Sequence, residues 1–365
     1  MEIETIGAPV HTRTLVVSVA QGSAGEVEAS GTLLDLRKRG LVPMAADLQT
    51  AGVVHDMRLR ARIATLPPRL VSITTEQPSV AFEPSPATGG ECCRDPAQRV
   101  EALADTPLDA ASTGRLGAAL GGPRGCSHVL TLAQLLTSTA RTALALESHR
   151  HAGAARPSGQ RVFHRSLSID GVQGRESFHL ALQMADVHFT PLIPEADGDP
   201  LERLAGRLEI RALAEIDLDG MRLRSLRAAE RTGGRDGFYG AWRDRSDRLA
   251  DLAGRSALGG MAGVLFERLG ADPSDRPLLD ALLNLAPALI QCVPAVMERW
   301  QSEPGAARPA MMAGGGMADS CYMWRRGGAL LERFEQSLSS VGRATGSAAD
   351  GSIANTAVRH DEQPE

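Results

Sequence analysis

Val53-Val54-His55-Asp56-Met57-Arg58-Leu59-Arg60-Ala61-Arg62-Ile63 constrains this chain more than any other run, because apolar and polar residues alternate through it at period two. Successive side chains of an extended strand point to opposite faces. Met57, Leu59, Ala61 and Ile63 therefore share one face and the arginines take the other. Such a strand belongs to an antiparallel sheet with one face on a core and one in water. Pro67-Pro68 then reads as a turn, and Leu70–Thr75 as the returning strand of a hairpin. Thr14–Ala20 and Val27–Leu36 add two strands before it, so residues 12–82 are mostly sheet.

A helix follows. Leu132, Leu135, Leu136, Thr139, Ala143 and Leu146 recur at helical spacing, predicting a helix over Thr131–Leu146. His149–Gly159 is polar and rich in Gly, Ala, Pro and Arg, a linker composition. Strands then begin again at Phe178–Phe189 and Arg207–Arg224, the latter broken by an Asp219-Gly220 turn. Helices are expected over Arg243–Leu252, Gly260–Leu269 and, as a pair, Arg276–Trp300, where Pro294 is placed to kink or end the last. Gly314-Gly315-Gly316 precedes a compact aromatic segment and a helix over Ala329–Leu338. The expected class is α+β, with antiparallel sheets packed on long helices. Strands-then-helix occurs twice, and Ala119-Leu120-Gly121-Gly122 reappears as Ala257-Leu258-Gly259-Gly260, which raises the question of two related halves. The expected organisation is a sheet-plus-helix unit over 1–148, a linker over 149–160, a second such unit over 161–343 and a disordered tail over 344–365.

Composition narrows the function classes. With 39 basic and 44 acidic residues the net charge is −5, which carries no footprint for nucleic acid and no polybasic patch for a membrane surface. No run of 18 apolar residues occurs, and the Met-Glu-Ile-Glu start lacks the basic and apolar regions of a signal peptide. Five cysteines is an odd count in a long chain, suiting reduced thiols and a cytoplasmic setting. The expected partner is a small molecule, and exposed sheet edges leave homo-oligomer formation open.

Several clusters carry chemistry. Gly125-Cys126-Ser127-His128 opens the long helix, where the helix dipole favours a Cys126 thiolate and His128 stands ready as a base. The same residues also suit a tight turn in which Ser127 caps the helix and Cys126 is a buried hydrophobe. His55 lies at the start of the alternating strand. Its neighbour Asp56 points to the opposite face and does not orient it. Cys92-Cys93 lacks the C-x₂-C spacing of a zinc site, so a metal held by Cys92, Cys93, Cys126 and His128 is a weaker expectation. His179 and His188, nine apart on one strand, face opposite ways, and His179 is a candidate for a ligand-binding face. Tyr322, Trp324 and Arg325 form a dense cluster in a chain with only three Trp and two Tyr, and they suit stacking on a planar ligand and clamping its carboxylate. No Gly-x-Ser-x-Gly elbow and no phosphate loop is present.

His11-Thr12-Arg13, Val54-His55-Asp56-Met57-Arg58-Leu59-Arg60, a cysteine after an irregular stretch, and Gly125-Cys126-Ser127-His128 before a Leu-rich helix together resemble the bacterial "domain of unknown function 2889" family over about residues 10–147. The resemblance implies that His55, Cys126 and His128, with Cys92 or Cys93, come together in space. It brings no activity with it.

The expectation is a catabolic enzyme for a small aromatic compound, of the lignin-derived type, or for a carboxylated one. It would be a lyase cleaving a C–C or C–O bond by acid–base chemistry without a cofactor. His55, His128 and Cys126 would be the catalytic residues, and Tyr322, Trp324, Arg325 and His179 would bind substrate. The alternatives are a zinc enzyme built on the Cys/His cluster and a non-catalytic ligand-binding accessory protein.

Overall fold

The computed structural model describes residues 3–44, 47–149, 156–192, 200–234, 240–302 and 318–336. The first half holds β1 (Ala8–Gln21), β2 (Glu26–Arg37), the short pair β3 (Val42–Met44) and β4 (Asp47–Gln49), β5 (Gly52–Thr65) and β6 (Pro68–Ser79). Helices α1 (Gln98–Glu101), α2 (Ser112–Leu120) and α3 (Ser127–Ser148) follow. The second half holds β7 (Arg161–Gln173), β8 (Ser177–Phe189), β9 (Leu204–Asp217), β10 (Leu223–Gly233) and β11 (Arg243–Asp244). It ends in α4 (Met261–Leu269), α5 (Arg276–Leu282) and α6 (Leu285–Ser302). The fold is α+β.

Nine strands form one antiparallel sheet in the order β11-β10-β9-β8-β7-β1-β2-β5-β6. The two sheet-plus-helix units expected from sequence are thus two halves of one sheet, joined where β1 pairs with β7. Leu15 stands opposite Leu167 near the middle of that pairing. A buried Arg–Asp pair recurs on either side of this point. Arg13 on β1 faces Asp35 on β2, and Arg165 on β7 faces Asp186 on β8. The Ala-Leu-Gly-Gly repeat does not fall at equivalent places, since it ends α2 in one half and precedes α4 in the other.

Alternation sets the core face. Along β5, His55, Met57, Leu59, Ala61 and Ile63 are buried while Arg58, Arg60 and Arg62 are exposed. On that face lies α3, whose Leu132, Leu135 and Leu136 are fully buried, each stabilising the fold by about 1.5–3 kcal/mol. Gly31 of β2 makes room for it: a Cβ there would meet Leu132 at 3.1 Å. Helix α6 lies alongside, against β7 and β1. Ser127–Ser148 and Pro273–Met297 are long and apolar enough to cross a membrane, but 61% and 83% of their apolar windows are buried, so core packing accounts for that composition.

Several expectations shift. Helix α3 starts one turn earlier than the apolar stripe indicates, which brings His128 into it. Arg243–Leu252 is not an α-helix: Arg243 and Asp244 extend the sheet and Ser246–Leu252 forms a 3-10 turn. Pro294 sits inside α6 without ending it. The last helix covers 329–336. Most of the expected linker, the glycine triplet Gly314-Gly315-Gly316 and the expected tail lie outside the described residues.

Candidate functional site

The core face of three strands turns from apolar to polar at one end of the sheet. Along β1 the buried residues run Val19, Val17, Leu15, then Arg13 and His11. Along β2 they run Val27, Ala29, Gly31, Leu33, then Asp35 and Arg37. On β5 they end at His55. Antiparallel register stacks these ends side by side, with His11 opposite Arg37, Arg13 opposite Asp35, and Asp35 opposite His55. The register slips by one residue at Pro9/His11 and at Asp35/Leu36, the irregularity by which strands re-aim side chains.

Asp35, wholly buried, is the hub. His55 Nδ1 lies 3.0 Å from its Oδ2 and is placed to donate to it. Arg13 Nη1 stands 3.5 Å and His128 Nε2 3.6 Å from the same oxygen. His11 Nε2 lies 3.2 Å from Oδ1, too poorly aligned for a hydrogen bond. Burial opposes the charge of Asp35. The Arg13 guanidinium and the contacts with His11 and His55 outweigh burial and hold the carboxyl well below the usual carboxylate range.

His128 enters from the first turn of α3. Its ring stacks on that of His55 with centroids 3.9 Å apart, and its Nε2 is 3.3 Å from the Gln291 amide of α6. Burial first, and then the His55 and Arg13 charges, lower its pKa well below the ordinary histidine value. His128 is therefore a neutral imidazole at pH 7. His55 commits Nδ1 to Asp35, which leaves Nε2 as the nitrogen available to a ligand.

The second half shows what this constellation becomes without its sharing. Arg165 is gripped by both Asp186 oxygens at 2.7 Å and by Asp280 of α5 at 2.7 Å. Where α5 supplies Asp280, α3 offers Arg13 only Thr131, at 3.4 Å. Arg165 is satisfied on every side and is structural. Arg13 retains buried N–H groups without a hydrogen-bond partner at Nε and Nη1, and Asp35 is divided among Arg13 and three histidines.

The polar cluster borders a largely apolar cleft. His55, His128, Arg37 and Gln291 are polar members of its lining. Phe82, Ile290, Val293, Met297, Trp324 and Phe334 supply apolar walls. Trp324 packs edge-on against Phe82 and Phe334, with centroids 5.9 and 5.3 Å away. Its segment is tied to the α3 turn by the Tyr322 N–H, which donates to Gly125 O at 2.8 Å. Gly125 is required there, because a Cβ would meet Leu120 O at 2.2 Å.

Of the residues singled out from sequence, His55, His128, Cys126, Cys93 and Trp324 line the cleft. Cys126 lies 4.0 Å from His128 Nδ1. It is the residue before the helix, and Ser127 is already inside it, so Ser127 is not the cap. Burial, reinforced by Cys321, pushes the Cys126 thiol up to about 11 against the pull of the helix N–H groups. It is a thiol at neutral pH, which does not suit a nucleophile. Cys92 turns away toward Arg94 and Glu83, so the four residues first considered for metal do not converge. Tyr322 and Arg325 stand outside the cleft. Glu91 takes both, and Arg325 lies over the Tyr322 ring at 4.0 Å. His179 is on the opposite face of the sheet, beside Ser177. Sequence reasoning missed His11, Arg13, Asp35, Arg37 and Gln291 as site residues.

The family comparison falls on this cluster. The family model described as "Protein of unknown function (DUF2889)" matches residues 11–142. Over that segment, about a third of its length, the chain is similar to the DUF2889 family. The DUF2889 segment runs from His11 through most of α3 and contains His11, Arg13, Asp35, Arg37, His55 and His128, while Gln291 and much of the cleft wall come from outside it. No curated protein and no solved structure matches the chain.

Proposed function

We propose that this chain is an enzyme that moves protons on a small, largely apolar molecule. The reaction is a lyase-type cleavage of a C–C or C–O bond in an aromatic or carboxylated compound, with no bound cofactor. One observation carries the reading: two imidazoles, one of them oriented by a buried carboxylate, meet in the lining of a largely apolar cleft. An accessory binding protein has no need of such a buried polar group, which is costly to desolvate.

His55 Nε2 is the base. It takes the proton of a substrate hydroxyl, the oxygen becomes a carbonyl, and the adjacent C–C bond breaks. The bond's electron pair passes into a carbonyl or phenol-derived sink, and the imidazolium returns the proton there. Asp35 holds the His55 tautomer and stabilises the imidazolium. His128, neutral and stacked on His55, accepts a hydrogen bond and relays the proton. Acid–base assistance of this kind is worth about 10²–10⁴ in rate.

A second reading has one observation in its favour. Asp35, His55 and His128 each offer a ligand atom within 4.8 Å of the others, a set that suits a divalent metal. Arg13, 3.5 Å from the same carboxylate, puts a fixed positive charge beside that position and opposes a dication.

One assay separates the two. Protein dialysed against a chelator is incubated with phenolic and carboxylated aromatic alcohols, and released carbonyl is trapped with a hydrazine. Carbonyl release at an undiminished rate after chelation is expected. Activity that vanishes on chelation and returns with stoichiometric zinc supports the metal reading instead. Absence of release from every compound in the panel counts against a lyase.

A further inference from the structure

Arg37 makes no side-chain hydrogen bond or ion pair among the described residues, and feels Asp35 only through its charge at a distance. It is 3% exposed, its Nε and Nη1 are buried without a hydrogen-bond partner, and it lines the cleft. No carboxylate stands within ion-pair distance of it among the described residues, and the cleft lining includes no acidic side chain. A buried, unpaired guanidinium is costly and is retained only where something compensates it. The surrounding charge count agrees. Among the described residues Asp35 is the one carboxylate beside this cluster, and its single charge is set against both Arg13 and Arg37, which leaves the pair of guanidiniums one positive charge in excess.

Arg37 follows Asp35 by two residues on the same face of β2, so it stands about 7 Å along the strand from the proton-transfer centre. That is roughly the span of one aromatic ring with its substituents. The walls between are apolar and include Phe82 and Trp324.

We infer that Arg37 binds the anionic head, carboxylate or phenolate, of an aromatic ligand, and so fixes the ring with its reacting end at His55 and His128. This rests on the proposed reaction for what happens at the far end, but the anchor itself is a binding property. It also replaces the clamp expected of Arg325, which Glu91 neutralises.

The test uses the whole chain and unreactive probes: benzoate, 4-nitrophenolate and the neutral isostere benzamide, titrated calorimetrically at pH 7.5. The wild-type protein is expected to bind at least one anion about tenfold or more tighter than benzamide, the gain of a charge-assisted hydrogen bond. Tighter benzoate marks a carboxylate site and tighter 4-nitrophenolate a phenolate site. Arg37→Gln and Arg37→Met should lose the preference. Because they remove an unpaired buried charge, both should melt at or above the wild-type temperature, and the favoured anion should raise the melting temperature of the wild-type protein alone. Equal binding of anions and benzamide by the wild-type protein overturns the inference, as does a preference that survives in both variants. Equilibrium binding does not depend on turnover. Selectivity that requires Arg37 in a protein with no lyase activity would keep the anchor and remove the reaction.

Discussion

Asp35→Asn is expected to lower the unfolding free energy by about 3–5 kcal/mol, read from urea denaturation followed by circular dichroism. Asp35 is the sole carboxylate within 4 Å of Arg13 among the described residues, and both are fully buried. Asparagine keeps the shape and removes the charge, which strands a guanidinium in the core. Asp56→Asn is the control. Asp56 is the neighbour of His55 and pairs with Arg58 at 2.9 Å, but on the open face of the sheet, where a pair is worth less than about 1 kcal/mol. Equal midpoints for the two variants would remove Asp35 as the hub.

Acid should act in the same direction. The carboxyl of Asp35 is held below its unfolded value, so its contribution is present above about pH 3.9 and is lost as pH falls toward the folded value. His128 and His11, which burial first of all pulls below the ordinary histidine value, also bind protons more readily when unfolded. Their contribution is complete above about pH 6.5 and declines below it. Wild-type stability should therefore begin to fall just under pH 6.5, and His128→Gln should flatten part of that slope.

His128→Ala is expected to cut turnover by about 10²–10⁴ while leaving the far-ultraviolet spectrum and melting transition close to wild type. The side chain sits in the first turn of α3 at the cleft wall, and its loss opens a small space beside Gln291 without stranding a charge. His55→Ala should cost at least as much, since it removes the nitrogen that Asp35 orients. A folded His128→Ala protein with wild-type turnover would end the assignment of His128 as a proton carrier.

What was legible in the sequence follows the reach of each signal. Parity along β5 is local, so the apolar face of Met57 to Ile63, and the opposite setting of Asp56, could be read directly. The same parity puts His11 and Arg13 on one face, a signal present but not used. Asp35 was hidden because its strand breaks the apolar pattern: Gly31, Asp35 and Arg37 occupy core positions where the pattern calls for hydrophobes. Convergence of β1, β2, β5 and α3 depends on register and helix docking, which no short window contains. Trp324 was visible through scarcity, whereas the capture of Tyr322 and Arg325 by Glu91, more than two hundred residues away, was not. The relation between the halves shows the same limit. The repeated tetrapeptide falls at different places in the two halves, and the likeness of Arg13–Asp35 to Arg165–Asp186 becomes apparent only once the strands are paired. The second half also supplies the physical contrast. A second aspartate turns the arginine of that half into a rivet, and its absence in the first half leaves a carboxylate shared among imidazoles.

The central claim is that an ionised Asp35 beneath the cleft lining fixes His55 with its proton on Nδ1, beside a neutral His128. Nitrogen-15 NMR of the imidazoles, assigned with the His55 and His128 variants, observes this directly. The account predicts a His55 ring protonated on Nδ1 at pH 7.5 and a His128 ring still neutral at pH 6. A His128 imidazolium at pH 7, or a His55 ring carrying its proton on Nε2 in the ligand-free protein, would contradict it.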